Sequence, residues 1–214
     1  MLHLQDISLS LAGRSLIKPF TLAVKPGEIV TLMGASGSGK SSILSFIGGD
    51  LDEAFRASGE IKLNGLRVND VPPERRGIAR LFQDDLLFPH MTIAENLLFA
   101  LPDMAQSKRL AAMREALLNA GLEGFENRPP HTLSGGQRSR VSLIRALVAK
   151  PAAILLDEPF SKLDEDLRQT VRDYTFAQIV ACGIPALLVS HDRGDGPKDG
   201  RIMLISKTGE VYDV

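Results

Sequence analysis

Hydrophobic and polar positions follow two different patterns in the segments that predict strands. Residues 2–11 alternate roughly between apolar and polar side chains, which is typical of a strand with one buried face. Residues 28–33, 153–156 and 186–189 are instead almost continuously apolar, as in strands buried on both faces of a parallel sheet. Two short apolar segments within residues 202–214 flank a Thr-Gly turn and predict a closing hairpin. The chain therefore combines β-structure at its start with a parallel α/β core.

Helical signals are concentrated in the middle of the chain. Residues 92–95, Thr-Ile-Ala-Glu, resemble a capping box that opens a helix. Residues 107–120 have helical periodicity and end at a glycine, and a further helix is predicted over residues 134–149, before a proline. These helical segments follow a predicted pair of short strands at residues 59–68. Together these signals predict a helical insertion near residues 84–145.

The composition limits the classes of function. The chain has 214 residues, enough for one buried core with an inserted subdomain. Its formal net charge is −1, so bulk charge gives no reason to expect a nucleic-acid partner, and we expect none. Cys182 is the only cysteine, which excludes an internal disulfide. The apolar runs are shorter than the ~20 residues that span a bilayer, so we expect any membrane contact to be made through a partner.

The strongest chemical signal is the sequence GASGSGKSS, which lies between a predicted strand and a helix predicted at residues 41–48. It fits the pattern G-x-x-x-x-G-K-[ST], in which glycines turn backbone N–H groups inward to cradle phosphate oxygens. The start of the following helix adds a favourable dipole. Lys40 would reach the β- and γ-phosphates of ATP, and the Ser41 hydroxyl would coordinate Mg²⁺. The residues expected to contact the nucleotide are Gly34, Ala35, Ser36, Gly37, Ser38, Gly39, Lys40, Ser41 and Ser42.

Two carboxylates follow the apolar run at residues 153–156. A buried strand delivers Asp157 and Glu158 at its carboxyl end, where ligands bind in open α/β sheets. Asp157 would hold Mg²⁺ through water, and Glu158 would orient and deprotonate the attacking water. The alternative is a pair of surface carboxylates that merely ends a strand, and the nearby phosphate loop makes it the weaker interpretation.

A second glycine-rich helix start lies at residues 133–137, which read Leu-Ser-Gly-Gly-Gln. A serine and two glycines at this position make an anion site. One nucleotide rarely needs two phosphate sites so far apart in sequence. The segment is therefore either an ordinary helix cap or a site for the nucleotide of another molecule, and the residues alone leave both open.

These motifs together resemble the nucleotide-binding subunits of ABC transporters, along nearly the full length of the chain. The matching elements occur in the order of the family: GASGSGKSS, Gln83 after Leu81-Phe82, LSGGQ at 133–137, ILLDEP at 154–159, Ser161-Lys162-Leu163-Asp164 and His191. The resemblance implies a P-loop NTPase core of the RecA-like type, with a mostly parallel sheet. It also implies an N-terminal antiparallel β subdomain and an inserted helical subdomain, all within a single ATPase domain over residues 1–214.

The resemblance also implies roles for residues outside the phosphate loop. Gln83 would sense Mg²⁺ and the attacking water, and His191 would contact the γ-phosphate. Asp164 would communicate across a dimer. The residues that would contact the nucleotide bound by the opposite subunit of an ATP-bound homodimer are Ser134, Gly135, Gly136 and Gln137.

The family resemblance favours a bacterial importer. The stretch at residues 81–90 is similar to importer subunits for thiamine, iron(III) or polyamines, which implies transmembrane permease subunits and a solute-binding protein as partners. We expect a cytoplasmic protein, peripheral on the inner face of the membrane. Residues 86–92 resemble the surface that receives the transmembrane subunit, and the alternative is a buried hydrophobic loop. An ATPase of an exporter or lipid-extraction complex remains an alternative, and a soluble ABC ATPase acting on ribosomes or DNA is less favoured.

One departure from the family generates a prediction about the base of the nucleotide. The family usually has an aromatic residue near Leu11-Ala12-Gly13 that stacks on adenine, and no aromatic residue lies there. An aliphatic contact from Leu11 would replace the stacking, so we expect modest selectivity between bases. Turnover of ATP and GTP by the purified chain measures this selectivity, and a strong preference for ATP would contradict the prediction.

Overall fold

The computed structural model describes residues 1–161, 163 and 165–214. Asp164, expected above to communicate across a dimer, lies outside the described residues. The chain divides into two compact units. The first contains residues 1–80, 152–158 and 176–214, and the second contains residues 81–151 and 159–175.

The strands lie almost entirely in the first unit. In chain order the strands are β1 (Leu2–Leu11), β2 (Arg14–Val24), β3 (Ile29–Gly34), β4 (Phe55–Leu63), β5 (Leu66–Arg67), β6 (Ile78–Leu81), β7 (Ala153–Asp157), β8 (Ala186–Val189), β9 (Ile202–Ile205) and β10 (Val211–Asp213). They form a four-stranded sheet in the order β2-β1-β4-β5 and a six-stranded sheet in the order β10-β9-β3-β8-β7-β6. The predicted combination of an N-terminal β layer and a parallel core is confirmed.

The first sheet is antiparallel and has one buried face. In β1, Leu2, Leu4, Ile7 and Leu9 are buried, as their alternation with polar residues predicts. The turn to β2 contains Ala12 and Gly13, both with positive φ, which suits a tight two-residue hairpin. These buried residues belong to the core cluster that also contains residues of the parallel strands.

The second sheet brings the carboxyl ends of its central strands to one edge. β3 pairs in parallel with β8, and β8 with β7, so that Leu32 lies beside Val189 and Val189 beside Asp157. Residues of β7 and β8 are buried along almost their whole length. The continuous apolar runs therefore arise from burial on both faces, as predicted. β10 pairs antiparallel with β9 and closes the sheet with the predicted hairpin.

Helices connect the strands and build the second unit. They are α1 (Lys40–Gly48), α2 (Ile93–Ala100), α3 (Gln106–Asn119), α4 (Gly135–Val148) and α5 (Glu165–Ala181), the last of which crosses the border between the units. The capping box predicted at Thr92 is present, with Glu95 as its partner. Apolar residues of α2, α3 and α4 form the core of the second unit, including Leu97, Leu117 and Val141.

The predicted strand pair at residues 59–68 is confirmed by the antiparallel pairing of β4 with β5, and the predicted helices begin at α2, further along the chain. One turn of 3₁₀-helix at Pro73–Arg75 is followed by the edge strand β6. The sequence of β6 is Ile-Ala-Arg-Leu, which is too short and too interrupted by charge to produce a strand pattern on its own. Pairing with the rest of the sheet decides its conformation.

Arg76 ties the end of α1 to the segment that precedes β6. Its side chain is buried and donates to the carbonyl oxygens of Phe46 (3.0 Å), Ile47 (2.8 Å), Asn69 (2.7 Å) and Val71 (2.7 Å). Two of these carbonyls lie in the last turn of α1, where a cation is also favoured by the helix dipole. Burial lowers the pKa of Arg76, and the nearby carboxylates of Asp50 and Asp70 oppose that shift.

We therefore expect Arg76→Met to lower the free energy of unfolding by about 2–4 kcal/mol, because it leaves several buried carbonyl groups without a donor. Urea denaturation of the purified chain measures the change. Arg75→Met is the matched control, since Arg75 is exposed. Equal stability of the two variants would contradict the role given to Arg76.

No helix in the described part of the chain is both long and apolar enough to cross a membrane.

Candidate active site

The phosphate loop leads from β3 into α1, as the sequence predicts. Gly37 and Gly39 have φ values of 75° and 94°, which favour glycine. A Cβ atom on Gly39 would also lie 2.9 Å from the side chain of Leu16. No side chain caps the first turn of α1, so its N–H groups have no side-chain cap to compete with a bound anion.

Lys40 holds its charge inside the loop. Its side chain is buried, and its Nζ donates to the carbonyl oxygens of Gly34 (2.8 Å) and Ala35 (2.9 Å). Burial lowers the pKa of Lys40, while the carboxylates of Glu158 and Asp157 favour the charged form and raise it. The loop thus holds a cation through its own carbonyl acceptors, and that cation is available to phosphate oxygens.

Asp157 ends β7 beside the start of α1. The hydroxyl group of Ser41 donates to Asp157 Oδ1 over 3.0 Å. Mg²⁺ prefers hard oxygen ligands and usually binds through one or two protein groups together with substrate phosphates. The Ser41 and Asp157 oxygens therefore fit the metal that the sequence motif implies.

Glu158 and His191 are brought together from two neighbouring strand ends. Glu158 Oε1 lies 3.3 Å from His191 Nδ1. The backbone of Glu158 has a φ of 46°, which is rare for a non-glycine residue, and its N–H donates to the carbonyl of Val189 over 2.9 Å. Such strain persists where the surrounding structure enforces it, and it is frequent at active sites.

A buried hydrogen bond supports the segment that carries His191. Ser190 Oγ donates to Asp195 Oδ2 over 2.6 Å, and the N–H of Asp192 donates to Ser190 Oγ over 3.0 Å. Ser190 and Asp195 are almost completely buried. His191 itself is exposed and can therefore face a ligand from a fixed backbone.

A cavity of about 310 Å³ adjoins the phosphate loop. It is lined by residues 35–38 of the loop, by Ser15 and Leu16 of β2 and by residues 206–209 of the β9–β10 turn. Its volume is in the range of small-molecule sites. The Ser38 hydroxyl is buried without a hydrogen-bond partner within the described structure, as expected for a loop that accepts a polar ligand. Leu16 lines this cavity, whereas Leu11, expected above to contact the base, does not belong to its lining.

Comparison with known proteins identifies the family. The family model described as ABC transporter matches residues 17–161. An uncharacterised ABC transporter ATP-binding protein from Escherichia coli K12, YnjD, is 44% identical over 214 residues, which cover 100% of this chain and 99% of that protein. The chain belongs to the ABC transporter family. It is an ATP-binding subunit and an ATPase of that family.

Two solved structures share the fold of this ABC subunit. A dimeric post-hydrolysis state of the ATP-binding cassette MJ0796 bound to ADP and Pi matches with a TM-score of 0.82 and 31% identity, covering 100% of this chain and 98% of that one. Another dimeric structure of MJ0796, described as a bacterial ABC transporter cassette, matches with a TM-score of 0.80 and 30% identity, covering 99% and 97%. The P-loop NTPase fold predicted from the motifs is confirmed.

The LSGGQ segment lies in the second unit and caps its own helix. The side chain of Ser134 accepts from the N–H of Gln137 (3.3 Å), and the side chain of Gln137 accepts from the N–H of Ser134 (2.9 Å). Gly136 is buried and a Cβ atom there would clash with Leu167, whereas Gly135 is exposed and has room for one. The first turn of α4 is therefore capped by side chains of its own segment, and Gly135 lies on the surface at the start of this helix.

Gln83 and Asp85 hold the segment before α2 to other parts of the second unit, Gln83 through Ser161 and Asp85 through α4, and sequence patterns predicted neither contact. Gln83 Nε2 donates to Ser161 Oγ over 3.2 Å. Asp85 binds α4 through three side chains: Arg138 Nε donates to its Oδ2 (3.0 Å), Ser139 Oγ to its Oδ1 (3.3 Å) and Ser142 Oγ to its carbonyl (2.8 Å). Residues three and four apart on a helix share a face, so the positions 138, 139 and 142 carried the only sequence signal for this cluster.

Proposed function

We propose that this ABC ATPase binds ATP with Mg²⁺, works as a homodimer, and powers solute import through a transmembrane partner. The observation that carries the ATP-binding and hydrolysis part of the proposal is a cluster in the first unit, formed by Lys40, Ser41, Asp157, Glu158 and His191, with contacts of 3.0 Å between Ser41 and Asp157 and 3.3 Å between Glu158 and His191. Phosphoryl transfer depends mainly on positioning and charge neutralisation, which these residue types provide.

Each residue of the cluster has its own task in hydrolysis. When ATP binds, Lys40 donates to β- and γ-phosphate oxygens in place of the loop carbonyls, and it holds these phosphates in the loop. Glu158 orients the attacking water and accepts its proton, while His191 steadies the Glu158 carboxylate and faces the γ-phosphate. When bound, Mg²⁺ would neutralise phosphate charge, and Ser41 and Asp157 would hold it.

The site is completed by a second copy of the chain. Ser134, Gly135, Gly136 and Gln137 of one copy contact the γ-phosphate held by the other, and a two-fold axis makes the two sites equivalent. The exposure of Gly135 supports this arrangement, as do the dimeric structures of MJ0796. ATP favours the closed dimer because each nucleotide contacts both chains only in that state. We also propose that the two units of each chain act as one ATPase domain.

An apolar patch in the second unit is the proposed docking surface for the transmembrane partner. Leu86 is 56% exposed and Phe99 is 66% exposed, and the Phe88 ring packs edge-on against Phe99 at 5.1 Å. The Arg145 guanidinium lies 5.7 Å from the Phe88 ring and donates to the carbonyl of Leu86 over 2.8 Å. Arg145 belongs to α4, so the patch and the LSGGQ helix are joined by direct contacts. A protein with this surface would be cytoplasmic and peripheral on the inner face of the membrane.

Phe88 and Met91 are both half-buried, so this segment combines packed and accessible side chains. Asn96 is fully buried and accepts from the N–H of Phe88, and its amide donates to the carbonyls of Met91 and Thr92. This network fixes the backbone of the segment, so changes at Phe88 or Met91 also affect folding. The exposed side chains of Phe99 and Leu86 can be changed with less effect on folding, so they give a clearer test of docking.

We expect Glu158→Gln to bind ATP with nearly normal affinity and to lose at least about 100-fold in turnover, because an amide cannot accept the proton of the attacking water. The variant should also accumulate as an ATP-bound dimer. Size-exclusion chromatography with and without ATP detects the dimer, and phosphate release measures turnover. Near-normal turnover would refute the assignment of Glu158 as general base.

We expect Phe99→Gln to leave folding and ATP binding of the isolated chain unchanged and to abolish association with the membrane partner, because a central aromatic side chain often dominates an interface. The tagged chain is purified from detergent-solubilised membranes of its host, and co-purifying subunits are identified. Leu118→Gln is the matched control, since Leu118 is also exposed, at 57%, near the end of α3.

Equal recovery of membrane subunits with both variants would contradict the docking surface. Recovery of a permease together with a solute-binding protein supports import. Recovery of an exporter or lipid-extraction complex would replace import by that function while leaving the ATPase assignment intact.

A further inference from the structure

Arg80 places a buried positive charge beside the carboxylate that ends β7. It lies in the edge strand β6, whose other residues are apolar. The side chains of Arg80 and Asp157 are only 11% and 14% exposed. Burying a guanidinium is costly unless it is paired with a carboxylate and hydrogen-bonded. The pair therefore belongs to the interior of the first unit and differs from a screened surface contact.

The two oxygens of Asp157 have different partners. Oδ1 accepts from Ser41 Oγ at 3.0 Å, and Oδ2 accepts from Arg80 Nη2 at 2.9 Å. A carboxylate held in this way presents one oxygen beside Ser41. Its second oxygen is occupied by the guanidinium, so Asp157 is fixed in one orientation before any ligand arrives.

The other side of the guanidinium is anchored on α1 and the loop after it. Arg80 Nη1 donates to Ser45 Oγ at 2.9 Å and to Asp50 Oδ2 at 2.9 Å. Ser45 lies one helical turn after Ser41, so both hydroxyl groups share one face of α1. Asp50 is 44% exposed, so water and salt screen its charge more strongly than that of Asp157. Asp50 thus compensates only part of the charge of Arg80.

We propose that Arg80, by occupying the second oxygen of Asp157 with a buried positive charge, weakens the attraction of the site for Mg²⁺. The inference rests on the Mg²⁺-ATP site proposed above. A positive charge next to a cation ligand opposes the binding of a second cation. The positive charges of Arg80 and Lys40 balance the negative charges of Asp157 and Glu158. Without nucleotide, the site therefore has little net negative charge to bind Mg²⁺, and we expect the metal to bind together with the nucleotide.

The test compares nucleotide affinity with and without the metal. The dissociation constant of a fluorescent ATP analogue is measured for the full chain in excess EDTA and in excess Mg²⁺. The ratio of the first constant to the second reports how strongly metal and nucleotide assist each other, and it does not depend on turnover. We expect Arg80→Met to raise this ratio at least about threefold, because the variant removes the repelling charge and keeps every proposed ligand.

Asp50→Asn provides a change of opposite sign. It removes the outer partner of Arg80 and leaves more of the arginine charge uncompensated at Asp157, so we expect the ratio to fall below that of the wild type. Arg201→Met is the matched control, because it breaks another Arg–Asp pair of the same unit, in which Arg201 Nε lies 2.5 Å from Asp213. Its ratio should equal that of the wild type. Thermal unfolding of each nucleotide-free variant establishes that it is folded.

An unchanged or lowered ratio in Arg80→Met overturns the inference, as does an equal rise in Arg201→Met. If Arg80→Met does not fold, Asp50→Asn decides alone, and an unchanged or raised ratio in that variant overturns the inference. A wild-type ratio of one overturns the proposed Mg²⁺ site itself. A wild-type ratio above one with no change in the Arg80 variant overturns only the role of Arg80.

Discussion

Parallel pairing of β3, β8 and β7 is the constraint on which the active site depends. Because the three strands run in the same direction, the segments that follow them emerge at one edge of the sheet. The phosphate loop, Glu158 and His191 follow these strands directly, and Asp157 ends one of them. The pairing of Leu32 with Val189 and of Val189 with Asp157 fixes their relative heights. Because the strands are buried on both faces, a shift of their register would be costly, and the active-site residues at the strand ends are therefore held in fixed positions.

Charge balance at this edge explains how carboxylates and cations share a small space. Lys40 is held by the carbonyl groups of its own loop, and Arg80 is held by Asp157 and Asp50. Glu158 is kept close to His191 by a backbone conformation with positive φ. The contact of Lys40 with its loop can be exchanged when a triphosphate arrives, whereas the contact of Arg80 with Asp157 holds that carboxylate in place. A site organised in this way is prepared for its ligand and stable without it.

The sequence predicted the features that depend on local patterns. β1, α1 and α4, the closing hairpin, the phosphate loop and the capping box at Thr92 follow from periodicity, glycine positions and capping residues. The strand β6, the contact of Arg80 with Asp157 and the attachment of Asp85 to α4 could not be predicted in this way. Each of these features depends on residues that are tens of positions apart in the sequence. In β6, the charged residue also interrupts the apolar pattern that would otherwise predict a strand.

The central claim is that two copies of the chain share each active site. Glu158→Gln lacks the proposed general base, and Gly135→Asp adds a carboxylate that the fold has room for and that would repel a facing γ-phosphate. Each variant alone should be nearly inactive. Mixing them in equal amounts should restore about a quarter of the wild-type ATPase rate, since half of the dimers are mixed and each has one intact site. Full activity of Gly135→Asp alone, or no recovery on mixing, would contradict the shared site.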